Sequence, residues 1–361
     1  MNALRISILL AILSCPLGAD TPAILLPSGN LEPPKSSGSP GEEVRLENGS
    51  GVSLSGVLTL PSGAGLHPAV VLLSGLREGE RALTEHLVNA GVAVLTFDTR
   101  GSGKSSGTLL LWMPDTTADD ALAWIRWLGT RPGINPKRIG LVGHSQGGVA
   151  VGIAAGMEPE RIAFVVLLAA VGAPVDEWQL RQMADRGRAL GLDAAAVAKY
   201  VELQRDLLRH VVGASDNAAA LKIAQETVKR HLGGFTPEER RQLELDDEAI
   251  KGMIQQAGEP WFREFLAYDP RPAFRKVKCP VLALHGSSDI QVAAKENLES
   301  IAAALKDGGN LRVKTIELPG LDHEFRTRPA GSIREPSSDQ QPLAATALTA
   351  VCDWIREQTR R

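Results

Sequence analysis

The chain has 361 residues, 43% of them hydrophobic, and a formal charge of −3 from 39 Lys+Arg against 42 Asp+Glu. Together with 36 glycines, that apolar share supplies a large core and excludes a disordered, collagen-like or coiled-coil chain. A charge near zero leaves no basic face for nucleic acid and no polybasic membrane patch, and three cysteines are too few for a disulfide scaffold.

Residues 1–19 read as a secretory signal peptide. Arg5 supplies a positive start, Ile6-Ser7-Ile8-Leu9-Leu10-Ala11-Ile12-Leu13 is a short apolar run, and small residues follow at Ser14, Gly18 and Ala19. The run falls short of the roughly 18–20 residues that span a bilayer, so cleavage after Ala19 and a secreted or periplasmic protein are expected. Ile12-Leu13-Ser14-Cys15 also resembles a bacterial lipobox, although Leu13 and Pro16 fit it poorly; a lipidated Cys15 is the one route to a membrane. A buried first strand or helix is the other local reading of the run. Residues 20–41 form a flexible linker, because eleven of the fifteen residues 27–41 are Pro, Ser or Gly and cannot bury apolar surface.

From residue 42 onward, strand-like runs alternate with helical patterns. Residues 52–60 alternate with period two, as a half-exposed antiparallel strand does. Residues 68–73, 92–97, 139–142, 162–168 and 281–284 are nearly continuous apolar runs, which indicate strands covered by helices on both faces. Helical stretches such as 118–128 and 147–155 lie between them. The expected class is α/β, a mainly parallel sheet flanked by helices, with ligands at the carboxyl ends of its strands. Residues 173–268 break this rhythm. They carry helical spacings such as Val197, Tyr200, Val201, Gln204, Leu207, Leu208 and Val211, and a capping box at Thr236-Pro237-Glu238-Glu239. They read as a helical cap inserted between two parts of one core, 42–172 and 269–361.

Gly143-His144-Ser145-Gln146-Gly147 follows the run 139–142 and opens the helical stretch 147–155. This is the strand–turn–helix setting in which G-x-S-x-G makes a nucleophile elbow. Glycines at 143 and 147 clear the turn, Ser145 is held strained above the sheet, and the helix start offers N–H groups to an oxyanion. Further upstream, Gly101-Ser102-Gly103-Lys104-Ser105 looks like the end of a P-loop. That motif needs glycine at 98, where Asp98 stands, so no nucleotide site is expected; Arg100 is expected to brace loops near the site instead. Cys279 and Cys352 either pair in an oxidising compartment or are separate buried thiols. Neither lies beside a second ligand, so no metal is assigned.

Gly143-His144-Ser145-Gln146-Gly147-Gly148 resembles the α/β-hydrolase superfamily. Asp98-Thr99-Arg100-Gly101-Ser102-Gly103-Lys104-Ser105-Ser106-Gly107 is similar to the loop after that fold's fourth strand. Pro260-Trp261-Phe262-Arg263-Glu264-Phe265, Tyr268-Asp269-Pro270 and the stretch 277–284 resemble a bacterial subfamily of secreted serine esterases, dienelactone-hydrolase-like or serine-aminopeptidase-like. The resemblance spans residues 42–357 and implies the chain order nucleophile, acid, base.

On that order Ser145 is the nucleophile. His323, in Leu321-Asp322-His323-Glu324 after the strand-like residues 313–318, is the base, and Asp289 stands at the family's acid position after 281–284. Asp176 or Glu177 is the alternative acid; Asp322 adjoins His323 and cannot turn back onto its ring. His144 is expected to pack inside the elbow, His67 and His86 precede the serine, His210 and His231 lie in the cap, and His285 ends a strand. The oxyanion donors are the N–H groups of Gln146 and, by position, Leu76. The latter sits in a loop, Ser74-Gly75-Leu76-Arg77-Glu78-Gly79, that is shorter and more charged than in relatives. The implied activity is hydrolysis of a small acyl ester through an acyl-enzyme, with no cofactor. A peptidase or amidase is the nearest alternative, and a non-catalytic binding protein on the same fold is the alternative of another class.

Overall fold

A computed structural model describes residues 41–73, 75–76, 78–109, 114–327 and 342–360. The expected signal peptide, Cys15, and the linker up to residue 40 lie outside these, as do Ser74 and Arg77. In chain order the elements are β1 (Glu42–Glu47), β2 (Ser53–Thr59), β3 (His67–Leu73), α1 (Glu78–Asn89), β4 (Ala93–Phe97), α2 (Pro114–Leu128), β5 (Ile134–His144), α3 (Gln146–Met157) and β6 (Val165–Leu168). Then come α4 (Val175–Ala189), α5 (Ala194–Val212), α6 (Asn217–Leu232), α7 (Pro237–Gln242), α8 (Asp247–Ala257) and α9 (Pro260–Leu266). The chain closes with α10 (Arg271–Phe274), β7 (Val281–Gly286), α11 (Ala294–Asp307), β8 (Val313–Leu318) and α12 (Ala345–Thr359).

The strands form one eight-stranded sheet in the order β1-β2-β4-β3-β5-β6-β7-β8. β1 and β2 pair antiparallel, as do β2 and β4; every pair from β4 to β8 is parallel. All strands from β3 to β8 therefore end at the same edge, and the loops after β3, β5, β7 and β8 gather there. Alternate residues of the apolar runs serve opposite faces. Val70, Leu72, Val142, Val166, Leu168, Leu282 and Leu284 join Leu83 and Leu87 of α1 and Leu348, Val351 and Trp354 of α12 in one buried cluster. Each such leucine, fully buried, contributes about 1.5–3 kcal/mol. α3 is built of small residues, which lets α10 pack closely on it: a side chain at Gly152 would meet the Phe274 ring.

Several elements differ from the sequence reading; β5, read as 139–142, runs from Ile134 to His144. β1 carries Glu42, Glu43, Arg45 and Glu47 and buries only Val44, so it has no apolar signal; it is a strand because β2 pairs with it. β2 is more buried than a half-exposed strand, since it lies between β1 and β4 and Leu54, Ser55, Leu58 and Thr59 are all enclosed. β6 begins at Val165 rather than at 162; Ala163 and Phe164 already bond the β5 main chain but precede the regular strand. Cys279 and Cys352 are separate buried thiols, not a disulfide.

By contact the chain divides into two compact units. One takes Pro174–Asp269, and the other holds the described residues of Pro27–Ala173, Pro270–Ala330 and Glu335–Arg361. Within the first, the helices begin on side-chain caps: Asp193, Asp216 and Asp246 each accept the N–H three residues on, and Thr236 and Glu239 form a reciprocal capping box. Their inner faces bury Tyr200, Leu203, Leu207 and Val211 of α5 with Ala220, Ala224 and Val228 of α6, and Trp178 meets Phe265 edge-on. Among the described residues, no helix is long and apolar enough to cross a membrane.

Candidate active site

The elbow forms because its glycines remove atoms that could not be accommodated. A Cβ on Gly143 would lie 2.4 Å from the Gly147 carbonyl oxygen, and one on Gly147 would lie 2.5 Å from that of Leu73. Between them Ser145 adopts φ 55° and ψ −120°, a conformation that costs a non-glycine residue about 1–3 kcal/mol. It is held there by the ladder: the Ser145 N–H donates to the Leu168 carbonyl at 2.9 Å, and the Ser145 carbonyl accepts from Gly148 at 3.0 Å. α3 starts at Gln146, so the Gln146 N–H belongs to the first turn, where amides lack an intrahelical acceptor.

The acid and base loops are zipped together beyond the paired ends of β7 and β8. Ser287 N–H donates to the Leu318 carbonyl and Ser288 N–H to that of Leu321, each at 2.9 Å, while the Ser287 hydroxyl accepts from Gly320 N–H at 2.9 Å. The turn around His323 is shaped by Asp322, whose Oδ1 accepts the N–H groups of Glu324 at 3.0 Å and Arg326 at 2.8 Å; Phe325 takes φ 57° within it. The outcome is a direct bond from His323 Nδ1–H to Asp289 Oδ2 at 2.8 Å. Asp289 Oδ1 accepts the N–H groups of Gln291 and Val292, both at 2.8 Å. Burial works against the Asp289 charge, but the neighbouring His323 ring, its hydrogen bond and the Val292 N–H outweigh burial and hold the carboxyl below its ordinary value. With the proton on Nδ1, the lone pair of a neutral His323 ring sits on Nε2, the form a general base needs.

A model of the α/β-hydrolase fold matches residues 68–325. The chain belongs to this family. An uncharacterized 31.7 kDa Escherichia coli protein from the traX-finO intergenic region is 29% identical over 239 residues, covering 64% of this chain and 75% of that one. Among solved structures, a hypothetical protein from Pseudomonas aeruginosa aligns with a TM-score of 0.55 at 16% identity, over 90% of this chain and 95% of that one. An esterase from Pyrococcus furiosus aligns with a TM-score of 0.50 at 18% identity, over 89% and 92%. At these identities the likeness is one of fold.

On the α/β-hydrolase frame the other sequence candidates fall into place. Asp176 and Glu177 lie exposed in the first turn of α4, in the other compact unit, while the His323 ring is bonded to Asp289. Leu73 pairs with Gly143, so the loop leaving β3 runs beside the elbow, and a Cβ on Gly75 would stand 3.4 Å from His144 Nδ1. Leu76 buries its side chain in the core cluster, and its carbonyl accepts from Gly79 N–H at 2.7 Å. His67 begins β3, at the far edge of the sheet, and His86 Nδ1 bonds the Ala82 carbonyl on α1. In the other unit, His231 bonds Asp206. Arg100 does not brace the catalytic loops. Its guanidinium forks onto the buried Asp120 of α2 at 2.8 and 2.6 Å, and Asp120 also accepts from Asn48 at 2.6 Å, tying the loop after β4 to α2 and to the β1–β2 turn.

Two further histidines accompany the base. Burial, and then the His323 ring, push His144 down to about 3, and burial pushes His285 down to about 4 against the opposing pull of Asp289. Both are neutral at neutral pH. His144 packs as expected, its ring centroid 4.8 Å from that of His323, but its Nε2 also stands 2.9 Å from the His323 carbonyl oxygen. No sequence signal announces that bond, because its acceptor is main chain. Among the described residues, no group of His, Cys, Asp and Glu is placed to hold a metal.

Proposed function

We propose that the chain is a serine hydrolase that cleaves carboxylic esters of small to medium acyl groups. The observation that carries this reading is the His323–Asp289 bond, with its tautomer defined, at the same sheet edge as a strained serine elbow. Ser145 Oγ attacks the ester carbonyl while its proton passes to His323 Nε2, and Asp289 balances the imidazolium charge that forms. The tetrahedral oxyanion lies towards the N–H groups of Gln146 and Leu76, where fixed donors act without reorganising. Collapse expels the alcohol, protonated by His323, and leaves Ser145 acylated. Water, deprotonated by the same imidazole, attacks the acyl carbon, and the carboxylic acid leaves as Ser145 recovers its proton. Within the family, this reading places the chain with the secreted esterases it resembles in sequence, and export rests on the pattern of residues 1–19.

A fluorophosphonate probe should label the wild type and leave Ser145→Ala untouched. Hydrolysis of p-nitrophenyl butyrate should exceed that of aminoacyl p-nitroanilides. Labelling that survives the serine substitution would remove the nucleophile assignment. A preference for the anilides would make the protein a peptidase, and no labelling with no turnover would make it a binding protein.

A further inference from the structure

We propose that His144 is a positioning residue: it holds the main chain of the base to the strand that ends directly before the nucleophile. The inference rests on the reading of Ser145, His323 and Asp289 as a hydrolytic triad.

His144 is the last residue of β5, directly before Ser145, and it is buried. Its Nε2 lies 2.9 Å from the carbonyl oxygen of His323, across 179 residues of chain. A carbonyl only accepts, and the ring is neutral at working pH, so the proton sits on Nε2 and His144 is the donor. Nδ1 is then a bare acceptor, and among the described residues it is buried without a hydrogen-bond partner, on the side that faces Gly75. A phenyl ring of similar size would fill the same space, so what histidine adds here is the donor at Nε2.

The bond supplies a constraint of a different kind from the others at the base. Asp322, through Glu324 and Arg326, fixes the shape of the turn but not its place. The Asp289 bond and the Ser288–Leu321 bond tie the turn to the loop after β7, and the Phe325 carbonyl accepts from Ala344 at the start of α12. His144 ties it to β5. Asp289 orients the His323 ring through Nδ1, and His144 sets the backbone from which that ring projects. Base and nucleophile are thus referenced to each other before any substrate arrives, which is the condition for proton transfer at hydrogen-bond distance.

The test compares wild type with His144→Phe, which keeps a ring and loses the donor, and His144→Gln, which restores an N–H at similar reach. His144→Leu replaces the phenylalanine variant if that ring does not fit. Acylation is measured as the burst with p-nitrophenyl butyrate. The His323–Asp289 proton is followed by NMR in histidine-labelled protein, and folding by thermal melting. The donor-less variant should lose about ten- to a hundredfold in acylation rate with KM little changed, and glutamine should recover most of that loss. The bridging proton resonance should shift or broaden without the donor and return with glutamine. A wild-type rate and an unmoved resonance in His144→Phe would overturn the proposal, as would equal losses in the Phe and Gln variants. If the wild type hydrolyses no ester and resists the fluorophosphonate, the proposed function has failed. The resonance comparison still stands in that case: a shift upholds the positioning role and an unmoved signal removes it.

Discussion

Replacing Asp289 with asparagine alters one atom and one charge in a site whose hydrogen bonds dictate how the new side chain must sit. Oδ1 accepts two main-chain N–H groups at 2.8 Å each, from Gln291 and Val292, so the amide oxygen of asparagine is held on that side. Its NH2 must then face His323 Nδ1, where Oδ2 stood 2.8 Å away. An NH2 cannot accept the Nδ1 proton. The ring adopts the other tautomer, with hydrogen on Nε2, and can no longer take a proton from Ser145. A base in the wrong tautomer loses about 10⁴-fold in kcat, or about 5.4 kcal/mol of barrier at about 1.36 kcal/mol per tenfold. KM should change little, and raising the pH should not restore the rate, because a tautomer preference is not an ionisation. Thermal melting should also change little, since each partner keeps a hydrogen bond. By contrast, Asp289→Ala strands the same three donors, at about 1–3 kcal/mol for each one left buried. The assay is steady-state hydrolysis of p-nitrophenyl butyrate across pH, with fluorophosphonate labelling rates alongside. A kcat within about tenfold of wild type, or an equal loss from Asp176→Asn or Glu177→Gln, would refute the reasoning.

Other consequences are open to measurement. Folding holds His144 at about 3 and His285 at about 4, below the ordinary 6.5, so the unfolded chain binds more protons over that interval. Their contribution to stability is complete above pH ~6.5 and is lost as pH falls towards the folded values, with a slope of about 1.4 kcal/mol per pH unit per histidine. Urea midpoints over about pH 5–7 should show this, and His285→Phe should remove about half of the slope; an unchanged slope would exclude His285 as a source. In Gly147→Ala the new methyl meets the Leu73 carbonyl, so the protein should lose about 1–3 kcal/mol and label poorly at Ser145. Melting and probe labelling together check that. Arg100→Ala leaves Asp120 buried and unpaired by its guanidinium, a loss of about 3–5 kcal/mol, while activity per folded molecule stays at the wild-type level. A fall in kcat at full folding would return Arg100 to the catalytic loops.

The elbow, the buried strands and the helices of residues 173–268 were legible in the sequence because their causes are local. Gly143 and Gly147 clear a turn five residues long, and the apolar runs of β3 to β7 need no knowledge of their neighbours to read as enclosed. Capping at Thr236 and Glu239 spans three positions, and the structure forms it as read. The sequence by itself thus determined an α/β sheet with a serine held strained at a strand end. The family resemblance named Asp289 and His323 as acid and base, but only the tertiary structure shows them bonded and brings the His323 carbonyl to His144. The His323–Asp289 bond joins residues 34 apart and the His144–His323 bond residues 179 apart; both exist because strand order and loop zippering set the ends of β5, β7 and β8 along one edge. The same holds for β1, polar in composition and extended only because β2 supplies its hydrogen bonds, and for Arg100, whose carboxylate was invisible until α2 packed beside its loop. Short-range pattern records backbone geometry and burial, whereas a side chain's polar partner depends on where distant strands end.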